Sequence, residues 1–495
     1  MTPPVWFRGR AWIAYFVLAA LTGVLLQAAF PPLAQSWLAP FALVPLLIAA
    51  AQAPAWWQAF SLGWLAGIVY WFGLCVWIEF VLQEHGGLPG WLAWLSFLLF
   101  CVLKALHLAV FAGLASSLMH RSYALVGVPL LWEGLERTHG TFGFAWLALG
   151  NAGIDMSYPL RLAPFVGVYG LSFLFALLAT ALACVALRRP RKWLLPLALL
   201  LLLPVLPRIP EAEPAPERAL VVQPNVDPEQ EWTEAYRRAF EAHLIRVSTA
   251  VPVHLVVWPE LPAPLYFFDD PEFADAAREL AVRQRHFLFG TVAYTANREP
   301  LNSAVLLGPD GSVAGRYDKI YLVPFGEFVP RAFSWVNRIS HEIGDFVPGK
   351  SITVMQAGEA GRLGVFICYE SAFPHLVRQF ARNGADVLFN LSNDAYFGRS
   401  AAYRQHLSLV RMRAVENRRF VVRVTDDGIT AVVDPAGRIR AELPRYRESA
   451  AIMPYGRVQG TTFYTRNGDW FAWSALGLGV ALSGFARWRT DRERR

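Results

Sequence analysis

Apolar stretches close to twenty residues long recur along this chain, and they constrain its fold more than any other feature. A stretch of this length can cross the hydrocarbon core of a bilayer as an α-helix. Composition agrees, since 55% of the residues are hydrophobic and 17% are charged, against about 25% charged in an average soluble domain. Disordered, fibrous and disulfide-scaffold classes are therefore excluded. The predicted spans are 11–30, 37–51, 56–80, 91–119, 122–138, 161–187, 191–207 and 470–486, about eight transmembrane helices.

Basic residues border every second loop or terminus between these spans, and acidic residues occupy the intervening loops. Because Lys and Arg accumulate in cytoplasmic loops, we expect both termini in the cytoplasm and the polar region between the seventh and eighth spans on the other side of the membrane. The first span also resembles a signal peptide ending near Gln27-Ala28-Ala29, whose removal would leave seven spans and move no loop. No basic stripe lies on the polar region, so no nucleic-acid partner is expected. The basic positions include Arg8, Arg10, Arg121, Arg188, Arg189, Arg191, Lys192, Arg487, Arg489, Arg492, Arg494 and Arg495, and the acidic ones are Glu79, Glu84, Glu133 and Glu136.

The region from 211 to 460 is polar and alternates short β-rich runs with helical ones. Two turn motifs, Gly308-Pro-Asp-Gly311 and Asp434-Pro-Ala-Gly437, predict hairpins. Runs this apolar are typical of strands covered on both faces, so we expect a layered sandwich with helices outside. The chain is divided into a seven-helix membrane region (1–210), an α/β domain (211–460) and a last helix with a basic tail (461–495). Strands are predicted at Ala219–Gln223, His254–Trp258, Asn302–Leu307, Ser312–Tyr317, Arg362–Ile367, Asp386–Leu391 and Phe420–Thr425.

Three residues at predicted strand ends carry a candidate covalent chemistry: Glu260, Lys319 and Cys368. A thiol attacks as its thiolate, so it needs a base and a positive charge that lower its pKa from about 8.5. Glu260 can be that base, and Lys319 can be that charge and can also stabilise an oxyanion. Taken singly, such a cysteine is usually a core residue, and such a glutamate or lysine is usually solvated.

The motifs around these residues resemble those of the nitrilase superfamily. They are Trp258-Pro-Glu260, Tyr317-Asp-Lys319 followed by Leu322-Val-Pro-Phe-Gly-Glu327, and Ile367-Cys-Tyr-Glu370. Together with the spans, they narrow the resemblance to the bacterial apolipoprotein N-acyltransferase family. Leu391-Ser-Asn-Asp394 matches the second half of the family's polar domain, and looser matches lie in the membrane region. One departure is Thr425-Asp-Asp-Gly428, where the family pattern leads us to expect Asn at one or both middle positions.

This resemblance implies a fold, an activity and roles for residues. The fold would be a membrane α-helical bundle plus an extracytoplasmic α-β-β-α sandwich, in the bacterial inner membrane with the catalytic domain periplasmic. Cys368 would be the nucleophile, Glu260 the base and Lys319 the oxyanion stabiliser, supported by Glu327, Tyr369 and Glu370. An acyl chain would pass from a phospholipid, through a Cys368 thioester, to the α-amine of a diacylglyceryl-cysteine apolipoprotein. No cofactor is implied.

A phospholipid donor also agrees with the predicted topology. Outside the cytoplasm neither ATP nor acyl-coenzyme A is assured, whereas phospholipid lies adjacent. Moving a sixteen-carbon chain into water would cost on the order of 10 kcal/mol, at about 0.8 kcal/mol per CH₂. We therefore expect the site to open at the membrane surface.

Aromatic residues in predicted loops are candidates for substrate binding, with buried packing as the alternative. They are Trp232, Tyr266, Phe267, Phe333 and Trp335. In the fourth span, Lys104 and His107 share one helix face, where helix packing and headgroup contact explain them equally well.

Neither a nucleotide site nor a metal site is predicted. Gly344 to Ser351 fits the P-loop pattern, but its polar lead and a predicted strand at Ile352–Met355 do not supply the strand and helix that a P-loop needs, so no nucleotide is expected. No His, Cys or carboxylate cluster shows metal-ligand spacing. Two alternative functions remain, a membrane-anchored nitrilase-type amidase that uses water as acceptor, and a noncatalytic membrane scaffold.

Overall fold

A computed structural model describes residues 11–141, 144–210, 216–227, 230–328 and 346–494. The chain forms two compact units. One contains Met1–Glu79, Trp91–Arg208 and Asp469–Arg495, and the other contains Phe80–Gly90 and Ile209–Gly468. The sequence-based division at 210 and 460 did not anticipate that Phe80–Gly90 groups with the second unit.

The first unit is helical. Three of its described segments are long and apolar enough to cross a membrane: Trp56–Cys75, Gly90–Leu118 and Pro159–Ala186. The expected count of about eight spans is not confirmed. The helices that contribute to this unit are α1 (Ala11–Ala28), α2 (Val44–Gln52), α3 (Trp56–Cys75), α4 (Trp77–Glu84), α5 (Gly90–Lys104), α6 (Leu106–Leu118), α7 (Ala124–Arg137), α8 (Ala163–Ala186) and α14 (Trp470–Arg494).

Several predicted spans are shorter or less regular than the apolar runs suggested. Within 37–51, the α-helix begins only at Val44. The run at 191–207 forms a 3₁₀ helix, Arg191–Val205, that contains Pro196 and Pro204. Proline lacks the N–H of an α-helical ladder, which accounts for the irregular winding.

Small residues bring α3 and α6 together. A side-chain atom added at Gly63 would lie 2.3 Å from the carbonyl oxygen of Leu108, and one at Gly67 would lie 2.7 Å from the Cα of Ala105. Only glycine permits this approach, which is the packing that a small-xxx-small pattern provides between membrane helices.

The second unit contains two six-stranded sheets, and it confirms the predicted sandwich. Their orders are β12-β1-β2-β3-β4-β5 and β11-β10-β9-β8-β7-β6. The first sheet consists of β1 (Glu217–Gln223), β2 (Val256–Val257), β3 (Phe287–Tyr294), β4 (Pro300–Leu307), β5 (Val313–Asp318) and β12 (Ser449–Tyr455). The second consists of β6 (Val354–Gln356), β7 (Arg362–Ile367), β8 (Val387–Ser392), β9 (Val421–Thr425), β10 (Ala431–Val433) and β11 (Ile439–Glu442).

Helices cover the outer face of each sheet. Helices α9 (Glu234–Ser248) and α10 (Pro271–Gln284) contact the first sheet, and α11 (Pro374–Arg382) and α12 (Ala402–Asn417) contact the second. In β1, Leu220 and Val222 join the core under α9 and α10, while Val221 is also fully buried. Both faces of the strand are therefore covered, as its apolar sequence requires. The short helix α13 (Phe463–Asn467) ends this unit.

Candidate active site

A buried lysine lies between two carboxylates at the end of β5. The side chain of Lys319 is 1% exposed, and its Nζ donates to Glu260 Oε1 at 2.9 Å. The same Nζ lies 3.0 Å from Oε1 and 2.9 Å from Oε2 of Glu327. Three predicted site residues thus meet in one ion-pair cluster.

An asparagine that sequence reasoning missed joins the two carboxylates. Asn302 Nδ2 donates to Glu260 Oε1 at 2.8 Å and to Glu327 Oε1 at 2.6 Å. Strand pairing positions it, because the Lys319 backbone N–H donates to the Asn302 carbonyl at 2.8 Å. Strand β4 contains two adjacent polar residues, Asn302 and Ser303, and nothing in the sequence distinguishes the one that reaches the carboxylates.

The second carboxylate oxygen of Glu260 accepts a hydrogen bond from a backbone group that follows a strand of the second sheet. Glu260 Oε2 accepts the backbone N–H of Asn393 at 3.0 Å, just after β8. Both oxygens of the carboxylate therefore accept hydrogen bonds from fixed donors, which orients Glu260.

Cys368 follows β7 in a strained conformation. Its φ is +49°, in the left-handed region that residues with a Cβ rarely adopt, and its side chain is 8% exposed. Such a backbone costs about 1–3 kcal/mol and clusters at functional sites. Cys368 is the first residue of the 3₁₀ helix Cys368–Ala372. The first N–H groups of this helix, including that of Tyr369, have no acceptor within the helix.

The charges around the thiol do not favour a preformed thiolate, which corrects the expectation that its neighbours lower its pKa. Burial raises the pKa of Cys368, and the Glu260 carboxylate raises it further, while Lys319 opposes them only in part. Burial alone would lower the pKa of Lys319, but Glu260 and Glu327 outweigh it and hold that pKa well above its usual value. The resting site therefore has a neutral thiol and a charged ammonium.

A second network holds the backbone of Cys368. His406 Nε2, on α12, lies 2.9 Å from the Cys368 carbonyl oxygen. His406 Nδ1 lies 3.1 Å from Nη2 of Arg423, which pairs with Asp394 at 2.6 Å. Burial, then Arg423, lowers the pKa of His406. His406 therefore donates through Nε2 to the Cys368 carbonyl, and its Nδ1 contacts the Arg423–Asp394 pair, 3.2 Å from Asp394 Oδ1.

Glu370 positions two segments and does not hydrogen-bond to Lys319. Its Oε1 accepts from the Tyr317 hydroxyl and the Ile320 N–H, each at 2.7 Å, and its Oε2 accepts from the Ile367 N–H at 2.7 Å. Burial raises the pKa of Glu370 to about 7, although those N–H groups oppose the shift. It therefore ties the segment that carries Lys319 to the one that carries Cys368. Tyr369 is buried, with its ring 5.1 Å from that of Phe373.

Tyr396 is a further neighbour that the sequence did not reveal. Partial burial raises its pKa to about 12, and the charges of Glu327 and Glu260 act in the same direction. Its side chain is 38% exposed, and its ring stacks on His85 at 4.3 Å. The phenol is therefore neutral and close to the carboxylates.

The aromatic candidates for substrate binding differ in position. Phe267 lies in the hydrophobic core, 5% exposed, so the buried-packing alternative describes it. Tyr266 is 39% exposed. Trp232 is half-buried and packs on the aromatic rings of α9, 5.3 Å from Tyr236. Phe333 and Trp335 lie outside the described residues.

In the first unit, Lys104 and His107 make contacts inside the helical bundle. Lys104 Nζ donates to the Phe144 carbonyl at 2.9 Å and lies 4.9 Å from the Trp71 ring. His107 lies 4.1 Å from the ring of His139 and, with Glu136, lines a small cavity. Helix packing accounts for both.

The Asp-Asp departure from the family pattern is buried. Asp426 accepts the Val226 N–H at 3.2 Å through Oδ2, but its Oδ1 and the Oδ1 of Asp427 have no hydrogen-bond partner among the described residues. Burial raises both pKa values, that of Asp427 to about 6. The adjacent Gly428 lies against Asp394, where an added side-chain atom would be 2.2 Å away.

Solved structures of the nitrilase superfamily resemble part of the chain. An amidase from Nesterenkonia sp. is 16% identical, covers 52% of this chain and 94% of its own, and has a TM-score of 0.38. Saccharomyces cerevisiae Nit3 is 21% identical, covers 48% of this chain and 90% of its own, and also has a TM-score of 0.38.

Family models and curated relatives cover nearly the whole chain. The apolipoprotein N-acyltransferase N-terminal domain matches residues 22–181, and the carbon-nitrogen hydrolase domain matches residues 221–459. An apolipoprotein N-acyltransferase of Geobacter metallireducens is 37% identical over 95% of this chain and 95% of its own. One of Ralstonia nicotianae is 34% identical over 94% of this chain and 91% of its own. The resemblance drawn from the motifs is thereby confirmed, and the chain belongs to the apolipoprotein N-acyltransferase family of the nitrilase superfamily.

Proposed function

We propose that this acyltransferase moves a fatty acyl chain from a membrane phospholipid, through a thioester on Cys368, to the α-amine of an apolipoprotein diacylglyceryl-cysteine. Its relatives named apolipoprotein N-acyltransferase support lipoprotein N-acylation. The observation that carries the catalytic assignment is the buried Lys319–Glu260 pair beside a strained cysteine. A membrane-anchored amidase is not favoured, since the family likeness spans both the helical and the α/β regions.

The first half-reaction begins with a neutral thiol. As the sulfur of Cys368 attacks the ester carbonyl carbon, its proton passes to the carboxylate of Glu260, so no free thiolate has to persist. Lys319 and the Tyr369 N–H stabilise the tetrahedral oxyanion. The ester C–O bond then breaks, and the leaving alkoxide takes the proton from Glu260 to give a lysophospholipid.

The second half-reaction uses the same groups in the same order. The acceptor amine attacks the thioester carbonyl, and Glu260 removes a proton from the amine. The C–S bond breaks, the amide forms and the thiolate of Cys368 recovers the proton from Glu260. Lys319 stays charged throughout, because its pKa is held well above the usual value.

The membrane placement is part of this proposal. Apolar helices and the family relatives support a membrane protein. The alternation of basic and acidic loops supports a bacterial inner-membrane protein with cytoplasmic termini and a periplasmic catalytic domain. In this placement the adjacent bilayer supplies phospholipid as the acyl donor.

The test combines detergent-solubilised full-length protein, phosphatidylethanolamine and a synthetic diacylglyceryl-cysteine peptide. We expect the wild-type protein to add one acyl chain to the peptide amine and to release lysophosphatidylethanolamine, as measured by mass spectrometry. Cys368→Ala is expected to do neither, whereas Cys184→Ala, a buried cysteine of α8, serves as the control and retains activity. Transfer by Cys368→Ala would refute the proposal, and free fatty acid without peptide acylation would favour a hydrolase.

A further inference from the structure

A cluster of arginines and tyrosines lies on the second unit beside the candidate site. Arg445 lies over two rings, 3.0 Å from the centre of Tyr403 and 4.1 Å from that of Tyr446. Arg399 lies 5.6 Å from Tyr446, and Arg404 lies 5.6 Å from Tyr403. We call these five residues the Arg–Tyr cluster.

The positive charge of this cluster is not neutralised by ion pairs. Within the described ranges, none of its three arginines has a carboxylate within 4.0 Å. Arg399 and Arg404 are exposed. The half-buried Arg445 donates through Nη2 to the Tyr446 hydroxyl at 2.5 Å, while its Nε has no hydrogen-bond partner among the described residues. Asp427 acts on Arg445 electrostatically, but it forms no ion pair with it.

An arginine that is stacked on a tyrosine ring can still bind an anion. An arginine that lies on an aromatic ring uses its flat face, and the N–H groups at its edge stay available for a phosphate oxygen. Holding the side chain on the ring beforehand lowers the entropy lost on binding. Tyrosine is also a residue that lies comfortably at the level of lipid headgroups.

The cluster is connected to the groups that hold the nucleophile. The Tyr446 hydroxyl donates to the Gly398 carbonyl at 3.3 Å, directly after the turn Asp394–Phe397. Tyr403 and Arg404 lie in the first turn of α12, and the next turn carries His406, which contacts the Cys368 carbonyl. The cluster is therefore joined to two segments, Asp394–Phe397 and α12, that contribute to the network around Cys368.

We propose that the Arg–Tyr cluster binds the phosphate of the phospholipid headgroup and so places the donor ester at Cys368. The inference rests on the proposed phospholipid donor. Charge complementarity carries it, since three unpaired arginines match an anionic phosphate, and their neighbours are rings suited to the lipid interface.

The test measures the rate of acyl-Cys368 formation by intact-protein mass spectrometry while the mole fraction of phosphatidylethanolamine in neutral detergent micelles is varied. For Arg399→Gln/Arg404→Gln we expect the half-saturating mole fraction to rise about tenfold, equivalent to about 1.4 kcal/mol, with an unchanged maximal rate. The matched control is Arg285→Gln/Arg298→Gln, which also removes two exposed arginines. Of these, Arg298 lies over a tyrosine as the cluster arginines do, 5.3 Å from the centre of the Tyr294 ring. It should behave as the wild-type protein does.

A second acyl donor, which lacks a phosphate, distinguishes a loss of phosphate binding from a general loss of activity. p-Nitrophenyl palmitate has no phosphate, so all variants should be acylated by it equally. Unchanged half-saturation by phosphatidylethanolamine, or an equal loss with both donors, overturns the inference. Normal acylation with slower transfer to the peptide would assign the cluster to the lipoprotein acceptor and also overturn it. A wild-type protein acylated by the ester but not by phosphatidylethanolamine refutes the phospholipid donor itself, and this inference with it.

Discussion

At the scale of single residues, the two carboxylates of the candidate site, Glu260 and Glu327, share hydrogen-bond donors. Lys319 and Asn302 both donate to Glu260 Oε1 and to Glu327 Oε1. Two buried carboxylates this close repel each other, so each shared donor lowers the cost of keeping both ionised. Glu260 can act as a base only while it is ionised.

Asn302→Ala is therefore expected to slow acyl-Cys368 formation roughly 10- to 100-fold, as expected when a hydrogen bond to a charged group, about 1.5–3 kcal/mol, is removed. Single-turnover mass spectrometry measures this rate. Ser303→Ala is the matched control, because the neighbouring hydroxyl bonds to Asp318 at 2.6 Å and not to the carboxylate pair. Equal rates for the two variants would remove Asn302 from the site.

Asp427 should make the protein less stable as the pH rises. Its folded-state pKa of about 6 exceeds the unfolded value of about 3.9, so the folded state holds the extra proton between these values. Stability is then lost as the pH rises through that window and stays lower above it. Asp427→Asn should raise the apparent Tm at pH 8 by about 2–6 °C and leave it unchanged at pH 4.

Tryptophan fluorescence during heating measures this shift. The exposed Asp275→Asn is the control and should show no pH-dependent difference from the wild-type protein. A lower Tm for Asp427→Asn at pH 8 would mean that the ionised carboxylate has a stabilising partner.

At the scale of elements, α12 holds the turn that presents Cys368. The chain of contacts runs from Arg423 on β9 through His406 to the Cys368 carbonyl. Each of these side chains is fully buried or nearly so. Since the backbone at Cys368 is strained, the contact with His406 is one force that maintains it.

His406→Leu should lower kcat by about 10- to 100-fold, in line with the loss of one buried hydrogen bond and a misplaced nucleophile, while KM for the phospholipid stays the same. His406→Gln, whose amide can donate to the same carbonyl, should recover part of the rate. Steady-state kinetics of peptide acylation give the split between kcat and KM. A rise in KM alone, or no recovery with Gln, would contradict a positioning role.

The strand pattern of the second unit was largely predictable, and its exceptions have local causes. The apolar run at His254–Trp258 yields only a two-residue strand, Val256–Val257, which pairs with β1 and β3. Pro259, which has no N–H to donate to a neighbouring strand, follows the run directly. Strand β3 was not predicted, although it is central to its sheet.

The motif residues of the site were predictable because each one lies at or shortly after the end of a strand: Lys319 and Cys368 directly follow β5 and β7, and Glu260 lies three residues beyond β2. Glu260, Lys319 and Cys368 stand at strand ends, where a layered α/β fold gathers polar groups. Asn302, His406 and Arg423 lie inside elements, and only strand pairing and helix packing bring them to the site. One sequence without that pairing gives no reason to select them.

At the scale of the whole molecule, the chain has a helical unit and an α/β unit with separate tasks. Of the described residues, the helical unit carries three segments that are long and apolar enough to cross a membrane. The α/β unit carries all of the candidate catalytic residues. A covalent intermediate on Cys368 would let the donor lipid leave before the acceptor binds, so one site can serve two lipidated substrates in turn.

The most direct test of this account is to locate the acyl group on the enzyme. The full-length protein is incubated with phosphatidylethanolamine without acceptor, digested at mildly acidic pH and sequenced by tandem mass spectrometry. We predict one acyl chain on the peptide containing Cys368, labile to neutral hydroxylamine as a thioester is, and discharged when the diacylglyceryl-cysteine peptide is added. An acyl group on another residue, or peptide acylation at full rate with Cys368 never modified, would contradict the account.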